Sequence, residues 1–430
     1  MAPLYFVLLV FFVLLLLRLP IAIVLICATM VGLLLSPVEI HLSQLPTAMF
    51  QGVNHFVLLA IPFFILMGDL ALASGVTQRL VNLAKAFVGH IAGGLAHVSV
   101  IVNVIMAGMS GSDLADAAAT GKLLIPAMQR VGYPLSYAAS IIGGAATIGP
   151  LIPPSIAFII FAAATESSVG RLFLGGAIPG LVLGLLLMLQ AYVVAKRHGF
   201  PLEQKMPYRE RVTASLAGLP VLGLPVMVLG SILAGIATPT EAAVLGVIAV
   251  ILLGGVLYRE LTLMIFARQV LATMRTVGSL FLIIAAAAAF GRVLTLYGAA
   301  DALADWMTSL TDDPLLFLGG VNVIYLLLGS IIDTVPILLV FVPILMPTVE
   351  ALGIDPVHFG VVTVFNLLIG LITPPYGLTM YLLCRIAGIS LHDFWRHMWP
   401  IFLLMVFTLI LVTLYPPLTT WLPNLVMPVK

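Results

Sequence analysis

Gly108-Met109-Ser110-Gly111-Ser112-Asp113-Leu114-Ala115-Asp116 interrupts an apolar sequence that enters near residue 90 and leaves near residue 130. A second polar knot, Gly329-Ser330-Ile331-Ile332-Asp333-Thr334-Val335-Pro336, interrupts residues 314 to 350 in the same way. The surroundings are 62% hydrophobic and only 8% charged, against about 25% charged in soluble domains. The chain is therefore read as a polytopic membrane protein, and the two stretches as re-entrant hairpins. Such tips survive at membrane depth only where protein or water covers them.

Working outward, apolar runs of the roughly 20 residues a crossing helix needs give ten spans. They lie near 4–17, 20–36, 54–73, 134–165 and 173–195, then 216–235, 239–257, 277–295, 356–384 and 398–415. The first run has no basic residue before Arg18, so it reads as a retained span, not a cleavable signal. Lys196, Arg197, Lys205, Arg209 and Arg211 place the segment 196–211 in the cytoplasm. The acidic stretch 299–313, with Asp301, Asp305, Asp312 and Asp313, then falls outside, as do both termini. Arg171, Arg292 and Lys430 stand as exceptions.

The two knots belong to a repeat. Gly132 and Gly353, Pro126 and Pro347, Gly149 and Gly370, and Pro153-Pro154 and Pro374-Pro375 each stand 221 positions apart. Phe173 with Phe394 and Pro179 with Pro400 continue the register, which drifts by two upstream, where Val102-Asn103-Val104-Ile105 returns as Val321-Asn322-Val323-Ile324. With five spans per copy, the second copy enters the membrane upside down. Inverted repeats of this kind build alternating-access transporters around a midplane site.

Three Asp within apolar sequence need partners, water or cations, since each costs about 2.5 to 3.5 kcal/mol at a helix centre. Helix capping by Ser112, Asp113 or Asp333 explains one such residue but not matched clusters in both copies. Opposite each knot lies an interrupted helix, Gly149-Pro150-Leu151-Ile152-Pro153-Pro154-Ser155 in the first copy and Gly370-Leu371-Ile372-Thr373-Pro374-Pro375-Tyr376-Gly377 in the second. Proline removes amide donors, so carbonyls before the break are freed while the next helix starts with free amides. Such ends suit a hard cation and an anionic cargo.

Other readings are less well supported. Net charge is only +1, which gives no field for nucleic acid, and Cys27 and Cys384 lie far apart. No Gly-rich phosphate loop with a Lys is present for ATP-driven transport. Gly108-Met109-Ser110-Gly111 also spells the motif around the serine of a rhomboid-type intramembrane protease, but later His residues fall in loops or at span ends. A channel would use polar tips without requiring two oppositely facing hairpins. Thr238-Pro239-Thr240-Glu241 reads as a capping box, and 76–89 and 259–275 as basic interfacial arms.

The runs MAGMSGSDLADAAATG, GPLIPPS, GLITPPYG and GIATPTEAA resemble the large membrane subunit of TRAP (tripartite ATP-independent periplasmic) transporters over essentially the whole chain. That resemblance implies an all-α, elevator-type inner-membrane secondary importer of an organic acid such as a C4-dicarboxylate or sialic acid. It also implies a small four-helix membrane subunit and a periplasmic binding protein as partners. Residues 90–165 and 314–385 would form the moving transport domain, with 1–89, 166–313 and 386–430 as scaffold. Ser110, Gly111, Ser112 and Asp116, with carbonyls of Gly149, Pro150 and Pro153, would make one sodium (Na+) site. Ser330, Asp333 and Thr334, with Gly370 and Thr373, would make the other. The cargo carboxylate would lie near Pro154, Ser155, Pro375 and Gly377.

Overall fold

A computed structural model describes residues 2–17, 19–36, 44–299, 302–303 and 312–428. Arg18, Asp301, Asp305 and Lys430, named above, lie outside the described residues. Among those described there is helix and no strand. Seven helical stretches are long and apolar enough to cross a membrane.

The chain opens with α1 (Ala2–Leu16), α2 (Ile21–Leu34) and α3 (Gln44–Val53), then a 3-10 turn (Phe56–Leu59) leading into α4 (Ala60–Ala73), followed by α5 (Val76–Val88). The first hairpin is α6 (Gly94–Ser110) and α7 (Asp113–Arg130). The first broken helix is α8 (Leu135–Ala146) and α9 (Ile156–Thr165), and α10 (Val169–His198) follows. α11 (Tyr208–Leu233), α12 (Pro239–Ile251, running into a π turn at Leu252–Leu257) and α13 (Leu263–Leu296) come next. The second half closes with the hairpin α14 (Pro314–Gly329) and α15 (Thr334–Ala351), then the broken helix α16 (Pro356–Gly370) and α17 (Leu378–Ala387). α18 (Leu391–Leu414) and α19 (Pro417–Val426) end the chain.

Hairpin, broken helix and long helix thus occur twice in the same order, and α7 and α15 each have 18 residues. Only Gly111 and Ser112 separate the arms of the first hairpin, whereas Ser330 to Asp333 separate those of the second. The two-residue drift in the repeat is this longer tip. Its local causes are visible. Gly111 takes a left-handed φ of 58° and ends α6, and the Ser112 side chain then accepts from the Ala115 amide to start α7. In the second tip Asp333 Oδ1 accepts from the Thr334 amide at 2.7 Å. Both hairpins end on a left-handed glycine, Gly132 (φ 97°) and Gly353 (φ 67°), a position where a β-carbon would be strained.

The helices α8 and α16 are buried almost throughout. Every residue from Tyr137 to Ala146 and from Val357 to Gly370 is buried, as expected of helices apolar on all sides. Membrane interiors lack a water-driven force between helices, so close packing through small residues does that work. Gly144 is an instance, because a β-carbon there would stand 2.6 Å from Ile401. The Ser140 hydroxyl adds a bond to the Phe394 carbonyl at 2.9 Å, joining α8 to α18.

Two sequence expectations change. Residues 259–275 are not a separate arm, because α13 runs unbroken for 34 residues from Leu263. Arg268 and Arg275 are exposed on it, and long Arg stems can carry their charge outward without ending a helix. α3 and α19, short and amphipathic, had no counterpart among the expected spans. The capping box is present as read, with Glu241 N donating to Thr238 Oγ1 at 3.3 Å and Thr238 N to Glu241 Oε2 at 2.8 Å. Arg171 donates to the Met427 carbonyl and to Asn424 Oδ1, both at 2.7 Å, and Arg292 to Gln51 Oε1 at 3.1 Å. These two exceptions to the charge rule are bound within the protein.

Candidate ion and cargo site

At the first tip the Ser110 hydroxyl donates to Asp116 Oδ1 at 2.5 Å. Asp116 is fully buried, and its Oδ2 has no hydrogen-bond partner among the described residues. That oxygen lies against the first break, since a β-carbon on Gly149 would stand 2.4 Å from it. One on Gly111 would stand 2.7 Å from the Pro154 carbonyl. Tip and break therefore touch through two glycines. The main-chain carbonyls from Gly149 to Pro154 accept no hydrogen bond from any described residue. Buried acceptors are almost always satisfied. A carboxylate oxygen and freed carbonyls together are the ligand chemistry of a hard cation, and Asp116 with the carbonyls of the first break supplies both.

The second tip meets the second break in a related way. Gly370 abuts Gly329 so closely that a β-carbon would come within 2.5 Å of its backbone, and the Tyr376 amide donates to the Ser330 carbonyl at 2.9 Å. Here more acceptors are used. The Gly370 carbonyl accepts from the Thr373 amide, the Thr373 carbonyl from the Gly377 amide, and the Thr373 hydroxyl donates to the Ile369 carbonyl. The Thr334 hydroxyl is buried without a partner, while Asp333 is exposed. The peptide bonds Pro153-Pro154 and Pro374-Pro375 are both cis.

Both tips open on one cavity of about 540 Å³, with Ser110 to Ala115 on one side and Asp333 to Val335 beside them. Pro150 and Ile156 bring the first break to its wall, and α4 and α13 add Asp69, Thr276 and Ser279 to the lining. No Lys, Arg or His lines it among the described residues. A second cavity, about 650 Å³, is lined by Ser330, Asp333, Pro375 and Tyr376. Of the four residues expected at the cargo carboxylate, Pro375 reaches this second cavity and Pro154, Ser155 and Gly377 line neither. The Ser155 hydroxyl instead caps α9 by accepting from the Phe158 amide at 3.3 Å.

Two side chains were absent from the expected ligand sets. Asp113 is 3% exposed, accepts from the Thr379 hydroxyl through Oδ2 and has a buried, unpartnered Oδ1. Its position between the two halves depends on the long-range crossing of α7 with α17, which no local pattern encodes. Asp69 accepts from the Thr273 hydroxyl at 2.6 Å. An acid inside the apolar run 54–73 is itself a signal of function legible in the sequence.

The family model described as "Tripartite ATP-independent periplasmic transporter, DctM component" matches residues 8–418. The chain belongs to this family. It is 38% identical over 377 residues to the sialic acid TRAP transporter large permease protein SiaM of Vibrio cholerae, covering 88% of each chain. It is 39% identical over 392 residues to the C4-dicarboxylate TRAP transporter large permease protein DctM of Pseudomonas aeruginosa, covering 91% of each. In fold it is similar to the crystal structure of the Alcanivorax borkumensis YdaH transporter, with a TM-score of 0.66 at 15% identity over 94% of this chain and 98% of that one. The DctM-family chain is thus a multi-pass transporter component, the large permease of a three-part system. The Ser110 hydroxyl, weighed above as a protease nucleophile, is bonded to a carboxylate.

Proposed function

We propose that this DctM-family permease imports an organic acid across the bacterial inner membrane in symport with sodium, together with a small membrane subunit and a periplasmic binding protein. The relatives named for sialic acid and for C4-dicarboxylate support a carboxylate cargo. The observation that carries sodium coupling is the buried, unpartnered Oδ2 of Asp116 set against carbonyls of the first break that receive no donor. The second ion would use Ser330, Asp333, Thr334, Gly370 and Thr373, where fewer carbonyls stand free.

The roles divide between the elements. The amides of Asp113, Leu114 and Val335 meet no acceptor among the described residues and stand at helix starts, where negative charge is favoured. They would face the cargo carboxylate in the first cavity. The two hairpins with the broken helices would move as one body against α4, α13 and the remaining scaffold, both termini lying in the periplasm. One sodium ion crossing about 100 mV gains roughly 2.3 kcal/mol, and a tenfold gradient adds about 1.4 kcal/mol. Two ions would supply on the order of 7 kcal/mol and a singly charged acid would return about 2.3 kcal/mol, which leaves more than a thousandfold accumulation. Coupling requires that sodium and cargo favour the same conformations.

Proteoliposomes holding the chain, its small subunit and its binding protein test this reading. Labelled acid should accumulate when an inward sodium gradient is imposed, and should not when potassium replaces sodium. Undiminished uptake in potassium would remove sodium from the mechanism.

A further inference from the structure

The cargo cavity is lined by two chemically different sets of residues. On the side of the tips, main-chain N–H groups at the starts of α7 and α15 stand free. The scaffold wall is built from acceptors. Asp69 Oδ2 accepts a hydrogen bond from the Thr273 hydroxyl, and Oδ1 receives none from any described residue. The Ser279 hydroxyl donates to the Thr276 carbonyl at 2.9 Å, and the Thr276 hydroxyl to the Ala272 carbonyl at 3.3 Å. With their protons bonded to carbonyls of their own helix, both hydroxyls offer lone pairs to the cavity. Thr276 and Ser279 are exposed there.

Charge points the same way. Asp69, Asp113 and Asp333 line the cavity, no cationic side chain does, and Asp113 keeps a buried oxygen without a partner. Each added negative charge on the cargo raises the repulsion that imported cations must offset. A dianion would also bring its second carboxylate, an acceptor, against a wall of acceptors. A hydroxyl-bearing tail would bring donors to that wall, where unpaired polar groups are the usual source of strong discrimination.

We infer that the cargo is a singly charged, polyhydroxylated acid. Its carboxylate lies at the hairpin tips and its hydroxyls donate to Asp69, Thr276 and Ser279 on the scaffold, with Asp69 as a specificity-determining residue. This rests on the organic-acid reading above and narrows it.

The test is direct binding to the purified complex of this chain and its small membrane subunit, in sodium, of three probes. These are gluconate (hydroxylated, one charge), hexanoate (one charge, no hydroxyls) and succinate (two charges). Gluconate should bind at least about tenfold more tightly than either of the others, and Asp69→Asn should weaken gluconate about tenfold while narrowing its lead over succinate. Succinate binding as tightly as gluconate, or an unchanged ratio in a folded Asp69→Asn, overturns the inference and leaves sodium coupling standing. Failure of all three acids to bind in sodium overturns the organic-acid reading as well. Sodium-induced thermal stabilisation reports whether Asp69→Asn is folded, and the wild-type ranking decides the matter without it.

Discussion

Asp113, in the first turn after the first hairpin tip, accepts a hydrogen bond from Thr379, in the first turn after the second break, across 266 positions of sequence. The two halves of the chain are thereby tied at the cavity. Thr379→Val keeps the shape but leaves a buried carboxylate with neither oxygen satisfied. Hydrogen bonds to charged groups contribute about 1.5 to 3 kcal/mol. Thr379→Val should therefore lower the melting temperature and, under sodium coupling, blunt the stabilisation that sodium gives, and Thr379→Ser should restore both. A full sodium response in Thr379→Val would reduce the bond to a structural tie.

Gly370 and Gly329 make the second tip and break touch backbone to backbone. Gly370→Ala would place its β-carbon within 2.7 Å of the Gly329 carbonyl carbon, α-carbon and oxygen, none of which can rotate away. Overpacking of this kind costs about 1 to 3 kcal/mol, and uptake should fall with the melting temperature. Gly319→Ala is the comparison, since nothing lies within 4 Å of the new atom and alanine favours helix over glycine by about 1 kcal/mol. Equal behaviour of the two variants in a thermal scan would deny the close contact any role.

Much of this arrangement could be read in the sequence, for identifiable reasons. Glycine and proline report backbone needs locally, so Gly149, Gly370 and the paired prolines marked both breaks. Apolar length alone located six of the seven described helical stretches long enough to cross a membrane; the seventh, Thr334–Ala351, lies in the second expected hairpin, while the expected spans 4–17, 20–36, 134–165 and 356–384 hold only shorter helices. What escaped notice depends on distant parts of the chain or on side chains long enough to evade a pattern. The position of the two-residue insertion, Ser330 to Asp333 against Gly111 and Ser112, shows only when helix ends are known. Charge at Arg268 and Arg275 reads as part of an interfacial arm, yet α13 passes through both. Asp113 stands in the first polar cluster, but its tie across the cavity depends on Thr379, which arrives from the other half.

Asp116 and Asp333 separate charge from structure. Asp116→Asn preserves the volume beside Gly149 and an acceptor for Ser110, so its main effect is loss of the negative charge. Under sodium coupling, the sodium concentration for half-maximal uptake should rise at least about tenfold, equivalent to about 1.4 kcal/mol. Asp333→Asn keeps an efficient helix cap, so its stability should stay near wild type while its sodium dependence weakens. Titrating sodium in uptake assays, with thermal unfolding alongside, checks both. Wild-type sodium curves in the two variants would discard the ligand assignment.

Arg171 bears on orientation. It starts the 30-residue α10, whose far end carries Lys196 and Arg197. At about 1.5 Å per residue that helix spans roughly 45 Å, more than the hydrocarbon thickness of about 30 Å. Arg171 and the basic segment 196–211 should then lie on opposite faces of the membrane. Because Arg171 is held by Met427 and Asn424 of the C-terminal segment, Arg171→Gln should cost about 1 to 3 kcal/mol and open residues 417–428 to protease. It should not invert the chain, since the five basic residues of 196–211 remain and set the topology. Single cysteines at Gln204 and Thr420, in a chain whose Cys27 and Cys384 are replaced, should label from the cytoplasmic and periplasmic sides respectively, with or without Arg171→Gln. Labelling of both from one side would refute the opposed faces, and reversal in the variant would show that Arg171 helps to set orientation.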